Sequence, residues 1–506
     1  MSDINKNGFE DHMNNFNNNI KPKPHDEILS QLLTDVKEVL FKDKGTELLK
    51  RKLKDPGLSN EEREKISQAI EEFKLNERHY LIITIDEIIN LTKSKKWGIC
   101  KNQDFIYLYN GAYWKSIDKE EFQKFLGEAS EKMGVGRFTA KYFQFREKLF
   151  KQFISTEYFP TPLRTKETVL INLMNGTFEI SDKPILKPFN RSDFMRYQLP
   201  FEYNEKAEAP KFKAYLDKVL PEKDKQNILS EFMGYVFVPQ SYLKLEKALF
   251  LYGSGANGKS VFYEIIKALL GSHNTSEFTL QSLTDSNGYY RAMIADKLVN
   301  YASEISGKLE STKFKSLASG EPMEARLPYG QPMTIEDYAK LIFNTNELPK
   351  DVEFNNAFFR RFIIIPFEVT IPEEEQNKSL HKDIINEELP GVFNWVLDGL
   401  KRLLNQKGFS QSPSIDKALE EFRTESDTVK RFLIESGYNP DPENKTLLKD
   451  LYQEYKEFAL DDGNRLLSKQ SFRKRLEALK IHVKRESLGM QVFVSKNNID
   501  NEENIF

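Results

Sequence analysis

Apolar residues recur along this chain in two rhythms. Between Glu27 and Leu75 they fall at three- and four-residue intervals, as in Leu29, Leu32, Leu33, Val36 and Leu40, which predicts amphipathic helices. From Tyr80 to about Tyr203, strand-like runs such as DFIYLY (104–109) and TVLINL (168–173) mingle with helical patterns and predict an α+β domain. The single Asp-Glu pair in HYLIITIDEII (79–89), Asp86 and Glu87, reads there as a strand end or helix cap. The helical period returns after Pro210 with Phe212, Tyr215, Leu216 and Val219, then Ile228, Phe232 and Tyr235. From Lys247 to about Phe367 the runs ALFLY, KLVNYAS, KLIFNTN and RFIIIPFE alternate with helical stretches, the pattern of a mostly parallel sheet with covering helices. Leu389 to Leu404 forms one amphipathic helix, and 410–427 reads as a charged link. Helices around 448–460 and 469–480, followed by a hairpin through HVKRESLGMQVFV (482–494), outline a winged helix.

Length and composition narrow the class. The 506 residues exceed one ordinary core, and domain sizes suggest about three or four folding units. With 39% hydrophobic and 30% charged residues, the chain reads as globular rather than disordered. No apolar run approaches the roughly 18 residues that span a bilayer, so no membrane association is expected. The Asn-rich start has neither the basic nor the apolar stretch of a secretion signal, and the single cysteine, Cys100, leaves no disulfide framework. A reducing, cytoplasmic setting is expected. The net charge of −3 means that any nucleic-acid contact must be local.

The strand ALFLY runs into GSGANGKS, with Gly253, Ser254, Gly255, Ala256, Asn257, Gly258, Lys259 and Ser260, and then into a helix-compatible stretch. That is the P-loop pattern in its strand–loop–helix setting: glycines let the backbone curl so that N–H groups and a helix N-terminus converge on phosphates. Lys259 is assigned to the β and γ phosphates of ATP, and the Ser260 hydroxyl to Mg²⁺. Glu304, just past KLVNYAS, is assigned as the carboxylate that orients the attacking water and helps hold the metal. Ser303 stands before it where an Asp is more usual, which points to a metal held partly through water. Asn346, at the end of KLIFNTN, offers a neutral amide to the γ-phosphate or the water, ahead of Asn344. In FFRRFIIIPF, Arg361 is the first candidate for an arginine finger reaching a neighbouring subunit, with Arg360 as its partner or as half of a structural ion pair. Residues 1–210 contain no cluster of paired aspartates with a nearby histidine, so priming is not expected.

The order GSGANGKS, YASEI, KSLASGEPMEARLPYGQP, FNTNELP, RRFIIIPF resembles the motif series of superfamily 3 helicases, most closely the phage and plasmid branch related to the poxvirus primase-helicase. NLMNGTFEI (172–180) and KPFNRSDFMRYQLPFEYN (187–204) resemble the domain that precedes the motor in that family, and ELPGVFNWVLDGLKRLL (388–404) resembles its helical lid. The resemblance implies an AAA+ ATPase in a hexameric ring, ATP and Mg²⁺ dependence, and translocation on single-stranded and forked DNA in a bacterial host. It divides the chain into a tail (1–26), a helical region (27–95) that could meet replication partners, an α+β domain (96–209), a helical collar (210–245), the ATPase core (246–370), a lid and linker (371–425), a winged helix (426–495) and a second tail (496–506). MEAR and PMTIED flanking LPYGQ predict a β-hairpin whose turn Gly330 relieves. By analogy with the family, that hairpin would face the pore, with Arg326 on phosphate, Tyr329 stacking, and Lys313 and Lys315 nearby. In the C-terminal unit Lys469, Arg473 and Lys474 on the helix and Lys484 and Arg485 on the wing would meet DNA or a protein. The alternative function is an ATP-switched, DNA-binding replication initiator or scaffold without processive unwinding.

Overall fold

In the computed structural model, residues 22–95, 97–102, 105–156, 168–181, 184–303, 309–327, 330–349, 354–461 and 466–496 are described. Glu304 and Tyr329 lie outside them, as do most of the first tail and nearly all of the second. The chain divides into two units, residues 1–203 and 204–506.

In the first unit, α1 (His25–Asp35) buries Ile28, Leu29 and Leu32 at the spacing read from the sequence, whereas Leu40 falls beyond the helix and is 69% exposed. The segment 79–89 is neither a strand end nor a cap. It lies inside α2 (Glu77–Ser94), which Asn76 opens with a reciprocal capping box to His79. Its β-branched residues enter a helix because Ile85, Ile88 and Ile89 fall on one buried face, and tertiary burial outweighs their weak helix propensity. Strands β1 (Gly98–Asn102), β2 (Phe105–Tyr109) and β3 (Trp114–Ile117) form an antiparallel meander. Next come α3 (Lys119–Met133), the short α4 (Arg137–Lys141) and α5 (Phe143–Thr156), whose Phe122, Leu126, Phe145, Leu149 and Phe153 share one core with α1 and α2. A second antiparallel sheet, β4 (Val169–Leu173), β5 (Gly176–Ile180) and β6 (Ile185–Lys187), completes the unit.

The second unit opens with α6 (Pro210–Val219) and α7 (Lys223–Tyr235) and then builds a five-stranded sheet from β7 (Ala248–Tyr252), β8 (Thr275–Ser276), β9 (Val299–Ala302), β12 (Lys340–Thr345) and β13 (Phe362–Pro366). The order is β13-β7-β12-β9-β8 and every pairing is parallel. Parallel neighbours need crossovers that cover both faces, which is why β7 and β13 are apolar throughout. Phe250 stacks on Phe343 and Phe362 at 5.4 and 4.5 Å between ring centres and locks β7 to its two neighbours, β12 and β13. The crossovers carry α8 (Lys259–Leu270), α9 (Ser311–Ser319), the hairpin β10 (Met323–Arg326) and β11 (Pro332–Ile335), and α10 (Asn356–Phe359). The hairpin forms at the predicted place, but Gly330 does not occupy the left-handed region; its N–H closes the turn on the Leu327 carbonyl at 2.9 Å.

Helix α11 (Leu389–Gln406) packs on α7 so closely that a Cβ on Gly399 would sit 2.3 Å from the Ser230 carbonyl carbon. Fully buried Glu231 accepts hydrogen bonds from Arg402 at 2.6 Å and from the Ser410 N–H at 2.8 Å across that seam. The segment read as a charged link contains α12 (Pro413–Glu425), a true helix capped by Ser412. Most of its charges face outward, but Arg423 lies over the Phe359 ring, and Phe422 packs on Phe359 and Phe362. Beyond it lie α13 (Thr428–Glu435), β14 (Tyr438–Pro440), β15 (Thr446–Leu447), α14 (Leu448–Asp461), α15 (Lys469–Ala478), β16 (Val483–Glu486), β17 (Gly489–Val492) and β18 (Val494–Lys496), around Phe432, Leu451, Tyr455, Phe472 and Leu476. Among the described residues no helix is long and apolar enough to cross a membrane.

Candidate active site

The carboxyl ends of β7 and β12 adjoin, and the crevice at that edge of a parallel sheet is where such folds place ligands. The loop leaving β7 is pinned on both sides. The Gly253 N–H donates to the Thr345 carbonyl at 3.2 Å, and the Ile371 N–H to the Ala256 carbonyl at 2.8 Å. Buried Asn257 donates its amide to the Phe367 carbonyl at 3.2 Å. Between these ties the backbone turns left-handed at Gly255, Ala256 and Gly258, with φ of 113°, 50° and 87°. Gly258 needs glycine twice over, because a Cβ there would also lie 2.7 Å from the Val219 side chain. On the same side the Tyr215 hydroxyl donates to the Gly258 carbonyl at 2.8 Å, so α6 braces the base of the loop.

Lys259 begins α8, and its buried ammonium folds back over the loop. It donates to the Gly253 carbonyl at 2.6 Å and to Asn346 Oδ1 at 3.3 Å, both neutral acceptors. Burial pulls this ammonium below the usual lysine range. Ser254, Ala256 and Ser260 are exposed around it. Asn344 is buried two residues upstream of Asn346 and accepts a hydrogen bond from Tyr301 at 2.9 Å, so it belongs to the sheet interior while Asn346 reaches Lys259. Strand β9 ends at Ala302, paired with Phe343; Glu304 follows outside the described residues. Of the two expected metal ligands, Ser260 alone is described.

Both arginines approach Glu246, Arg360 at 2.9 Å and Arg361 at 3.8 Å, but they differ in burial. Arg361 is buried and donates to the Lys315 carbonyl at 3.0 Å, to Ser319 Oγ at 3.0 and 2.8 Å, and to the Ala357 carbonyl. It ties the end of α9 to the start of β13, so its charge is spent inside its own chain. Arg360, one residue earlier, has its side chain 56% exposed and pairs with Glu246 at 2.9 Å.

The hairpin cations are also engaged. Arg326 donates to the Tyr289 hydroxyl at 2.7 Å with its guanidinium 5.2 Å from that ring's centre, though its buried Nε has no partner. Lys313 donates to the Asp285 carbonyl. Lys315 contributes its carbonyl to Arg361, and Tyr329 lies outside the described residues. In the C-terminal segment Lys469, Lys474, Lys484 and Arg485 are exposed, and Arg473 pairs with Glu477 at 2.8 Å. Sequence reasoning passed over Tyr215, Tyr301 and Tyr289. Tyr215 was read only as one member of a helical apolar stripe, and nothing local to it signals the loop it braces.

Two family models match the chain. "D5 N terminal like" covers residues 86–221, and a family of unknown function, DUF5906, covers 251–361, from the last residues of β7 to Arg361. The chain is 24% identical over 350 residues to "Putative helicase L207/L206" of Acanthamoeba polyphaga mimivirus; the match takes in 62% of this chain and 35% of that protein. The chain thus spans about a third of the length of that relative. Among solved structures, an A-form apo structure of the NrS-1 C-terminal region aligns with a TM-score of 0.45 at 14% identity, over 81% of this chain and 99% of that one. Another apo structure of that region aligns with a TM-score of 0.42 at 14% identity, over 80% and 97%.

Proposed function

We infer that this chain, a relative of the phage and viral primase-helicases, is an ATP-driven DNA helicase whose second unit binds and splits the nucleotide. One observation carries the reading. Among the described residues, Lys259 is a buried cation held only by neutral oxygens, at the start of a helix and over a left-handed loop. A buried cation without a counter-ion is costly, and a triphosphate would supply the missing negative charge while loop N–H groups and the helix terminus bind its oxygens. The residues present therefore fit ATP. A Cβ at Gly255 would meet nothing within 4 Å, so space lies open above the loop.

In this reading Lys259 grips the β and γ phosphates, and Ser260 offers its hydroxyl to Mg²⁺, which neutralises developing phosphate charge. Asn346, already against Lys259, positions the attacking water, and Glu304, following β9 in sequence, polarises it. In a hexameric ring with nucleotides shared at its seams, Arg360, exposed on its own copy, is the guanidinium that would reach a neighbour's phosphate site. The hairpin β10–β11 with Arg326, and the winged-helix-like segment with Lys469, Lys474, Lys484 and Arg485, supply phosphate contacts to single-stranded and forked DNA. ATP hydrolysis measured with and without single-stranded DNA tests the assignment: wild-type turnover rises with DNA and Lys259→Ala abolishes it. Full ATPase in that variant would remove the site.

A further inference from the structure

The first unit presents an exposed aromatic and basic surface that the motor reading does not use. Around α4, residues 136–139 and 141–144 are exposed, and only Ala140 anchors the turn inside the core. Phe138 is 91% exposed, Phe143 66% and Tyr142 50%. The rings of Tyr142 and Phe143 meet edge to face at 5.1 Å, while that of Phe138 stands free. Three exposed aromatics within six residues would be a solubility cost without an occupant.

The charge around them identifies that occupant. From residue 132 to 146 the chain carries Lys132, Arg137, Lys141 and Arg146 and no carboxylate, in a protein whose net charge is −3. Arg137 and Lys141 are one helical turn apart, beside Phe138 and Tyr142 at the same spacing, so cations and rings form adjacent rows. Both cations lean on a single acid, Glu131, at the outer limit of contact, 3.9 Å each, and their side chains are 71% and 48% exposed. A phosphate can displace so loose a pairing. Alternating rings and cations suit unstacked bases on a phosphate backbone; a purely apolar protein partner would leave Arg137 and Lys141 facing it unpaired.

We propose that Arg137, Phe138, Lys141, Tyr142 and Phe143 form a binding site for single-stranded DNA in the first unit, separate from the motor. The proposal stands without the ATPase reading, since it needs no nucleotide, and Lys259→Ala should leave it intact. The test uses the full chain and an oligothymidylate. Of the three native tryptophans Trp97 and Trp114 are buried and Trp395 is half-buried, so a Phe138→Trp variant, read against the unsubstituted chain, adds an exposed reporter whose emission is quenched on stacking. A Phe138→Ala, Tyr142→Ala double variant, which removes exposed rings and keeps its melting temperature, should bind the oligonucleotide at least about 30-fold more weakly. Arg137→Ala with Lys141→Ala should flatten the salt dependence by about 1.4 in log–log slope. Unchanged oligonucleotide affinity in the aromatic double variant overturns the proposal, including the case where those rings prove to seat a protein instead.

Discussion

Arg360 and Arg361 are adjacent in sequence, one exposed and one buried, and truncating each separately tests whether Arg360 acts as the proposed finger. Arg361→Ala removes a buried guanidinium that donates to two carbonyls and to Ser319 Oγ. Hydrogen bonds from a charged group are worth about 1.5–3 kcal/mol each, but water can enter the vacated space and Glu246 keeps its closer pair with Arg360, so the net cost is about 2–4 kcal/mol. Spread over a unit of this size, that lowers the melting temperature by about 3–6 °C. Arg360→Ala breaks an exposed pair worth at most about 1 kcal/mol and should shift melting by no more than about 2 °C. Its effect should appear in turnover, where loss of a trans-acting guanidinium costs about a thousandfold or more while assembly persists. The assay is thermal unfolding beside DNA-stimulated ATPase for both variants. Normal turnover in Arg360→Ala, with Arg361→Ala losing turnover at an unchanged melting temperature, would refute the assignment.

Three further outcomes follow from the geometry. Tyr215→Phe deletes the hydroxyl that braces the Gly258 carbonyl, about 1 kcal/mol, and should raise KM for ATP about fivefold with kcat nearly kept; an unchanged KM would show the brace to be idle. Asp427, buried, accepts from Arg475 at 2.9 Å and caps α13, so Asp427→Ala should cost about 3–5 kcal/mol in urea unfolding of the C-terminal segment, and a loss below about 1 kcal/mol would contradict the burial argument. Burial lowers the Lys340 ammonium to about 8, although it lies 4.2 Å from the centre of the Tyr235 ring. Because the folded value is below the unfolded one, its protonated form is penalised below about pH 8, and the penalty fades as pH rises toward the unfolded range. Lys340→Met should therefore raise the melting temperature more at pH 7 than at pH 10, and the reverse order would be evidence against it.

Much of the parallel sheet and the loop that leaves β7 was legible in the chain because its signals are local. ALFLY, KLVNYAS, KLIFNTN and RFIIIPFE each contain the strand they predicted, and α8 begins at Lys259, where the glycine-rich run ends. The hairpin strands fall within MEAR and PMTIED. What stayed hidden depends on side-chain direction or on distant partners. Two consecutive arginines ahead of a strand carry no mark of which one turns inward; the answer lies in Ser319, 42 residues away. Tyr215 meets Gly258 across 43 residues, and Arg475 meets Asp427 across 48. The run 79–89 misled because its isoleucines favour strands locally, whereas the Asn76 cap and the buried stripe that fix it as helix act over a longer span. The link at 410–427 misled by its surface charge, with Phe422 as its main apolar anchor to the core.

Strand displacement on 3′- and 5′-tailed duplexes, run with ATP for wild type and Lys259→Ala, addresses the central claim most directly. Release of the labelled strand from one of the two substrates by wild type, and from neither by the variant, is the expected result. ATP hydrolysis that single-stranded DNA stimulates, with no strand released from either substrate, would contradict a motor and leave an ATP-operated switch.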